Sequence, residues 1–342
     1  MNYLVTGSAG FIGSHVSRAL LERGDAVVGV DNFNDYYDPT RKRSNVRRLE
    51  QFELFQMVES DVRNKEAMRE LFEAQAFDAV IHLAAMAGVR NSIVEPALYF
   101  DVNFNGMQTI LEFARIHGVN QIVMASTSST YGNTNTIPFI ESDPCINSLQ
   151  PYATSKRSAE LMGKTYHQHY GINFTSTRFF TVYGPAGRPD MMPFLLAESI
   201  LNGKEVPLYE GAFERDWTYI DDIVAGVVAA ADRPLGFEVI NLGRGAPESL
   251  TNFISIMESV AGQKANLALQ TAPPTEMLRT FADTTKAQRL LDFNPRVSLD
   301  EGVERFWDWF VKQPQAAISR KQPAVPYINM QIGSGADSAT VP

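Results

Sequence analysis

Tyr152 and Lys156 stand four residues apart in the stretch Pro151-Tyr152-Ala153-Thr154-Ser155-Lys156. On a helix that spacing puts a phenol and an ammonium on one face, about 5–6 Å apart at Cβ. A free phenol titrates near pH ~10, too high for a useful base at neutral pH. A fixed positive charge beside it favours the phenolate and lowers that value. The pair can then accept the proton of an alcohol, which is what oxidation to a ketone requires. Tyr and Lys at this spacing also occur on many solvated helices. The rest of the chain therefore has to supply an oxidant and a place for the alcohol.

The oxidant's place is legible at the start. Residues 2–5 read as a buried strand, Gly7-Ser8-Ala9-Gly10-Phe11-Ile12-Gly13 follows at once, and residues 14–23 carry an amphipathic helix pattern. Strand, glycine turn and helix form the context that makes such a motif a dinucleotide site. Gly7 allows the tight turn, Gly10 lets the backbone approach a pyrophosphate, and Gly13 lets the helix pack on the strand. The N–H groups at the helix start then face the phosphates. The spacing is G-x-x-G-x-x-G, one residue longer between the first two glycines than the simple dehydrogenase fingerprint. A second strand over 26–30 ends in Asp31, where a carboxylate binds the adenosine ribose. An acid there favours NAD, because it repels the extra phosphate of NADP. The nearby run Arg41-Lys42-Arg43 reads as a solvated loop or helix face, with a phosphate partner as the alternative.

Further pairs of strand and helix set these groups in register. Strands are expected over 54–58, 79–83, 121–125 and 173–178, with helices over 96–117 and 152–170. The alternation predicts an α/β fold, a Rossmann-type doubly wound parallel sheet with helices on both faces. Ligands in such sheets bind beyond the carboxyl ends of the strands. The glycine turn, Asp31, Asp61, Ala84 and Thr127 all fall at such ends. Residues 1–180 are read as the NAD-binding domain, to which a strand near 237–241 returns. Residues 181–312, punctuated by Pro and Gly, form a smaller α/β substrate-binding domain, and 313–342 form a tail.

The 342 residues carry a formal net charge of −9, which argues against general nucleic-acid binding. Hydrophobic content of 44% and charged content of 20% fit a soluble globular protein. The single cysteine, Cys145, excludes a disulfide framework within one chain and fits a reducing cytoplasm. No leader is expected before the first strand. The longest apolar run, 223–231, is far short of the ~20 residues of a membrane span and reads as a buried helix.

The combination GSAGFIG, HLAA, ASTSSTYG, PYATSK, RFFTVYGP and RDWTYIDD resembles the extended short-chain dehydrogenase/reductase family of NAD-dependent nucleotide-sugar epimerases and dehydratases. The resemblance covers about residues 2–312. Within that family VDNFNDYYDP, AGVR, ASTSS and RFFTVYGPAGRPDM are most similar to UDP-glucuronate 4-epimerases. It implies a reversible oxidation of a UDP-sugar at carbon 4. Tyr152 would take the hydroxyl proton, Lys156 would lower its pKa and hold the nicotinamide ribose, and Thr127 would relay the proton. The cofactor contacts it implies, besides Gly7, Gly10, Gly13 and Asp31, are Phe11, Ile12, Asn32, Asp61, Val62, Leu83, Ala84, Ala85, Ser126, Tyr152 and Lys156. A homodimer through the helices near 96–117 and 152–170 is also implied.

A glucuronate oxidised at carbon 4 is a β-keto acid. It loses carbon dioxide when the bond to the carboxylate aligns with the ketone π system. An epimerase must hold the carboxylate out of that alignment, and hydroxyl donors suit the task. Thr127, Ser128, Ser129 and Thr181 are the candidates, with Arg188 as a charged partner. Related decarboxylases typically carry Glu at the position of Ser129, and 4,6-dehydratases Asp-Glu at Ser128-Ser129. Galactose-type epimerases usually have Asn where Thr181 stands. Arg215 of RDWTYIDD is the expected diphosphate contact, Arg90 a weaker one, and Glu276 resembles the acid that binds the uridine ribose. A basic residue usual upstream of Glu276 is replaced by Ala272-Pro273-Pro274-Thr275, for which Arg279 is the substitute. The alternatives are a UDP-glucuronate decarboxylase, a UDP-hexose 4-epimerase and, more distantly, a non-catalytic NAD-binding regulator.

Other chemistry-bearing residues read as structural. His82 ends a strand and is expected to be a packed core histidine. His167 and His169 point to different helix faces and make a poor metal pair, and no metal is expected. Asp221-Asp222 open a helix, where acids favour the macrodipole. Ser126 lacks the G-x-S-x-G turn of a serine nucleophile.

Overall fold

A computed structural model describes residues 1–272 and 277–313. Its centre is a seven-stranded sheet. The strands are β1 (Asn2–Thr6), β2 (Ala26–Asp31), β3 (Phe55–Glu59), β4 (Ala79–His82), β5 (Gln121–Thr127), β6 (Asn173–Phe179) and a later one, Phe237–Leu242. In space they run β3, β2, β1, β4, β5, β6 and then Phe237–Leu242. Every neighbouring pair is parallel. The winding direction reverses between β1 and β4, so the chain leaves the two strand ends on opposite faces and a crevice opens there.

Side chains alternate across the sheet, and helices cover both faces. Tyr3 and Val5 of β1 enter the core that holds Val16 and Leu20 of α1 (Phe11–Glu22). Leu4 enters the opposite core with Met68 and Leu71 of α3 (Lys65–Ala74). Between these helices in the chain comes α2 (Pro39–Leu49), which packs against α1. Burial on both faces explains why the strands read as continuous apolar runs. Each fully buried aliphatic side chain, such as Ile81, contributes about 1.5–3 kcal/mol.

The helix expected over 96–117 is divided. It comprises α5 (Pro96–Phe100), a π-helical turn at Asp101–Asn105 and α6 (Gly106–Ile116), preceded by a short α4 (Val89–Val94). The widened turn presents Asn103. Its side chain accepts from Met86 N at 2.8 Å, and its amide donates to Met86 O and Ser155 Oγ, each at 3.0 Å. That side chain ties the segment after β4 to α7 (Pro151–Tyr170). Pro151 suits the first turn of α7, where its missing N–H costs nothing. Gly171 ends it at φ 72°.

Beyond β6 the elements are short. Thr181–Tyr183 pairs with Trp217–Tyr219, and Glu214–Arg215 lies between Glu248–Ser249 and Arg279–Thr280. The buried carboxylate of Asp216 binds these pieces together. It accepts from the backbone N–H groups of Arg244 (2.7 Å), Gly245 (2.9 Å) and Ala282 (3.0 Å). The apolar run at 223–231 lies in the helix Ile220–Ala231, packed against α1. Among the described residues, no helix is long and apolar enough to cross a membrane. Glu276 and the expected tail beyond Gln313 lie outside the described residues.

Candidate active site

A cavity of about 270 Å³ lies over the carboxyl ends of the central strands, at the reversal of strand order. Its floor is bare backbone. Gly7 has φ +71°, and a Cβ there would stand 2.7 Å from Ala84 N. A Cβ at Gly13 would stand 2.0 Å from Gly7 O, so only glycine lets α1 start this close to β1. No side chain caps that helix start, and Phe11, Ile12 and Gly13 line the cavity. The first N–H groups of α1 are thus available to an anion.

Two carboxylates stand at the next strand ends. Asp31 Oδ1 accepts from Phe33 N at 2.8 Å and from Lys42 Nζ at 3.4 Å. Asp61 accepts from Asn32 Nδ2 at 2.7 Å and from Arg63, whose hydrogen bonds hold its carboxyl down at about 2. A glycine cradle, an uncapped helix start and a carboxylate at the end of β2 make a donor and acceptor set that fits NAD.

At the other end of the cavity lie Ser126, Thr127, Tyr152, Lys156 and Arg188. Lys156 is 2% exposed and donates to Ala125 O at 2.8 Å. Burial draws its pKa down to about 8, against the opposing charge of Glu160. The Tyr152 ring meets Tyr99 edge-on, 6.1 Å between centroids. Burial raises the Tyr152 pKa, while the Thr127 hydroxyl and the Arg188 charge work against that rise. A second positive charge, that of Arg188, also acts on the phenol, from a segment remote from α7 in the chain, while the Lys156 ammonium donates to Ala125 O. Arg188 is held by Asp190, with contacts of 2.9 and 3.0 Å, and lies 5.6 Å from the Tyr36 ring centroid.

Glu160, one turn beyond Lys156, carried no signal in the sequence. It is wholly buried. Its oxygens accept from Ser126 Oγ (2.6 Å), Arg178 Nε (2.9 Å), Arg178 Nη2 (2.7 Å) and Arg157 Nη1 (2.9 Å). Burial pushes its carboxyl up, but the hydrogen bonds and charge of Arg178, with Ser126 and Arg157, together outweigh this and leave it below the usual range. His82 is a packed core histidine, as expected. Its Nδ1 lies 2.8 Å from Thr6 Oγ1, and burial, reinforced by the Lys156 charge, takes it down to about 3.

Every expected cofactor contact lines this one cavity: Gly7, Gly10, Phe11, Ile12, Gly13, Asp31, Asn32, Asp61, Val62, Leu83, Ala84, Ala85, Ser126, Tyr152 and Lys156. Thr127 and Arg188 line it too. Ser128, Ser129 and Thr181 do not. Ser128–Tyr131 form a 3-10 turn just past β5, where Ser129 N donates to Thr127 Oγ1 at 3.1 Å. Thr181 N donates to Asp216 O at 3.0 Å.

The arginines expected at the nucleotide end also lie off the cavity wall. Arg215 donates to Glu214 O at 2.9 Å, and Arg279 pairs with Glu214 at 2.6 Å from the adjacent strand. Arg90 lies 5.3 Å from the Tyr209 ring centroid.

The wall also includes residues the sequence reading gave no role, Asn34, Tyr36, Tyr37, Met86 and Phe180, and it includes Lys42. The run Arg41-Lys42-Arg43 is the clearest correction. Only Arg43 behaves as a solvated face, paired with Glu59 at 2.9 Å. Lys42 is 6% exposed, and Arg41 donates to Gly187 O at 3.1 Å. The reason is tertiary: α2 folds back against the end of β2, which sequence spacing does not reveal.

The family model of the NAD dependent epimerase/dehydratase family matches residues 3–243. UDP-glucuronate 4-epimerase of Thermodesulfobacterium geofontis is 44% identical over 309 residues, covering 90% of this chain and 95% of that protein. The crystal structure of UDP-glucuronic acid 4-epimerase from Bacillus cereus, in complex with UDP-glucuronic acid and NAD, superposes with a TM-score of 0.85 at 36% identity. That match covers 91% of this chain and 99% of the other. A dTDP-glucose 4,6-dehydratase from Streptomyces venezuelae, DesIV with NAD bound, reaches the same TM-score of 0.85 at 30% identity, over 92% of this chain and 98% of its own. Fold similarity alone therefore spans more than one chemistry. The family match and the cavity built on Gly7, Gly13, Asp31 and Tyr152 agree, and the chain belongs to the NAD dependent epimerase/dehydratase family.

Proposed function

We propose that this chain is an NAD-dependent UDP-glucuronate 4-epimerase. It inverts carbon 4 of UDP-glucuronate through a 4-keto sugar and gives UDP-galacturonate without loss of carbon dioxide. The observation that carries this reading is the hydroxyl chemistry at the end of β5, which begins with Thr127 beside Tyr152. Thr127 faces the phenol, and Ser128 and Ser129 follow in the 3-10 turn, where the sibling decarboxylases and dehydratases place acids. The relatives of that name and the cavity's fit to NAD support it.

NAD, when bound, accepts a hydride from carbon 4 and returns it. Tyr152 takes the proton of the 4-hydroxyl and later gives it back, and Thr127 hydrogen-bonds the reacting oxygen. Arg188 offsets the cost of forming a phenolate in a buried site. Lys156, fixed on Ala125 O, places its ammonium for the nicotinamide ribose. Ser128, Ser129 and Thr181 hold the sugar carboxylate out of line with the ketone. Arg215, Arg279 and Arg90 bind the diphosphate, and Glu276 the uridine ribose. We place the enzyme in the cytoplasm as a homodimer through α6 and α7, which carry exposed Ile116 and Leu161.

Incubation with UDP-glucuronate followed by NMR tests the reading. UDP-galacturonate is the expected product. A UDP-pentose, or no turnover, overturns it.

A further inference from the structure

Lys42 is the buried cation that the function above leaves without a task. Asp38 caps α2 by accepting from Thr40 N at 2.9 Å, and Lys42 sits in the first turn after it. The side chain turns under the cavity wall instead of outward. Its Nζ lies 3.4 Å from Asp31 Oδ1, 3.0 Å from Asn34 Oδ1 and 5.5 Å from the Tyr37 ring centroid. Arg41 and Arg43 leave in other directions, to Gly187 O and to Glu59. A lysine on a helix face is free to point into water, and burying its ammonium carries a large desolvation cost unless a partner offsets it. Burial does draw its pKa down, with Asp31 opposing.

The partner is held asymmetrically. Asp31 Oδ1 takes two donors, the Lys42 ammonium and the Phe33 N–H, and Phe33 reaches that position through a left-handed φ of 48°. No described residue donates to Asp31 Oδ2. One oxygen is committed to the protein and the other is left for a ligand hydroxyl, at a carboxylate that lines the cavity.

Building on the proposed placement of Asp31 at the adenosine ribose, we propose that Lys42 is a positioning and selectivity residue for the dinucleotide. It orients Asp31 so that Oδ2 meets the ribose diol, and Asp31 in turn engages the cation that a 2′-phosphate would use. A ribose diol brings no charge and needs an acceptor. A 2′-phosphate brings a charge of about −1.5 to −2 and meets a carboxylate whose neutralising cation is already engaged. Removing the carboxylate alone reverses this. Lys42 then stands unpaired and can make charge-assisted hydrogen bonds to phosphate.

The test is calorimetric titration of the full chain, first freed of any bound dinucleotide, with NAD and with NADP, with thermal melts alongside. Lys42→Met should weaken NAD at least tenfold, and Lys42→Arg should restore most of that loss. Asp31→Asn should weaken NAD yet raise NADP affinity at least tenfold over the parent. Asp31→Asn/Lys42→Met, with both charges gone, should lose the NADP gain. A purely structural role would move the melting temperature and both affinities together, leaving the NADP-to-NAD ratio unchanged. Equal NADP affinity in Asp31→Asn and the double variant overturns the proposal. So does wild-type NAD affinity in Lys42→Met. Should Lys42→Met fail to fold, the comparison of Asp31→Asn with the double variant decides. Unchanged NAD affinity in Asp31→Asn refutes instead the placement of Asp31 at the ribose.

Discussion

At the sheet end of the site, Asp31, Thr127 and Lys156 are each less than a tenth exposed; Asp31 and Thr127 accept from the backbone N–H two residues on, and Lys156 donates to Ala125 O. In the smaller part, Arg215 and Arg279 stand on two-residue strands, and the Arg279 side chain is 48% exposed and paired with Glu214. The first region is finished before any ligand arrives. Buried groups with fixed partners cannot swing, which is what positioning reacting atoms requires. The second region offers long cations in or near water. Their planar forks match the bidentate geometry of phosphate oxygens, which is the role proposed for them.

Breaking the finished region should cost the most. Tyr152→Phe removes the proton acceptor and should lower kcat by about 10³-fold while NAD affinity is kept. Near-parental turnover would refute the assignment of the phenol. Gly13→Ala forces a methyl into Gly7 O. It should abolish NAD retention, read from the absorbance of the purified protein, and lower the melting temperature.

In the adaptable region effects should be smaller and fall on KM. Arg215→Met should raise KM for UDP-glucuronate by about 10–100-fold, the worth of one charge-assisted hydrogen bond, with kcat changed far less. An equal fall in kcat would place Arg215 with the reacting atoms and erase the contrast. Arg279→Met, losing a half-exposed ion pair worth about 0–1 kcal/mol, should change KM no more than a few-fold. Ser129→Glu sharpens the boundary between the regions. It should divert part of the product toward UDP-pentose and carbon dioxide, and an unchanged NMR product ratio would remove the hydroxyl clamp.

His82 offers a test by pH. The folded imidazole stays neutral down to about 3, against 6.5 for the free group. The unfolded chain therefore binds a proton that the folded chain refuses, and stability falls as pH drops below about 6.5. Urea unfolding at pH 7 and 5 should show a larger loss for the parent than for His82→Asn.

The alternation of apolar runs with amphipathic helices made the parallel sheet legible, because burial on both faces leaves a continuous signature in β4 and β5. The glycine turn, Asp31 and the Tyr152–Lys156 spacing were legible for a related reason. Each depends on backbone geometry within one strand, turn or helix, and local spacing encodes that geometry. The break of 96–117 at Asn103 was not legible, since its cause is a side chain reaching to Met86 and Ser155. Glu160 was silent because its donors come from β5, β6 and its own helix.

The sequence by itself thus determined which groups share one cavity, because strand ends of a doubly wound sheet share one edge and the starts of α1 and α7 lie beside it. Only the tertiary structure decided how those groups are charged and oriented. Arg188 brings a charge to the phenol from outside α7, and Lys42 turns inward to Asp31. Those outcomes depend on burial and on distances between segments remote in the chain, which spacing along one helix cannot specify.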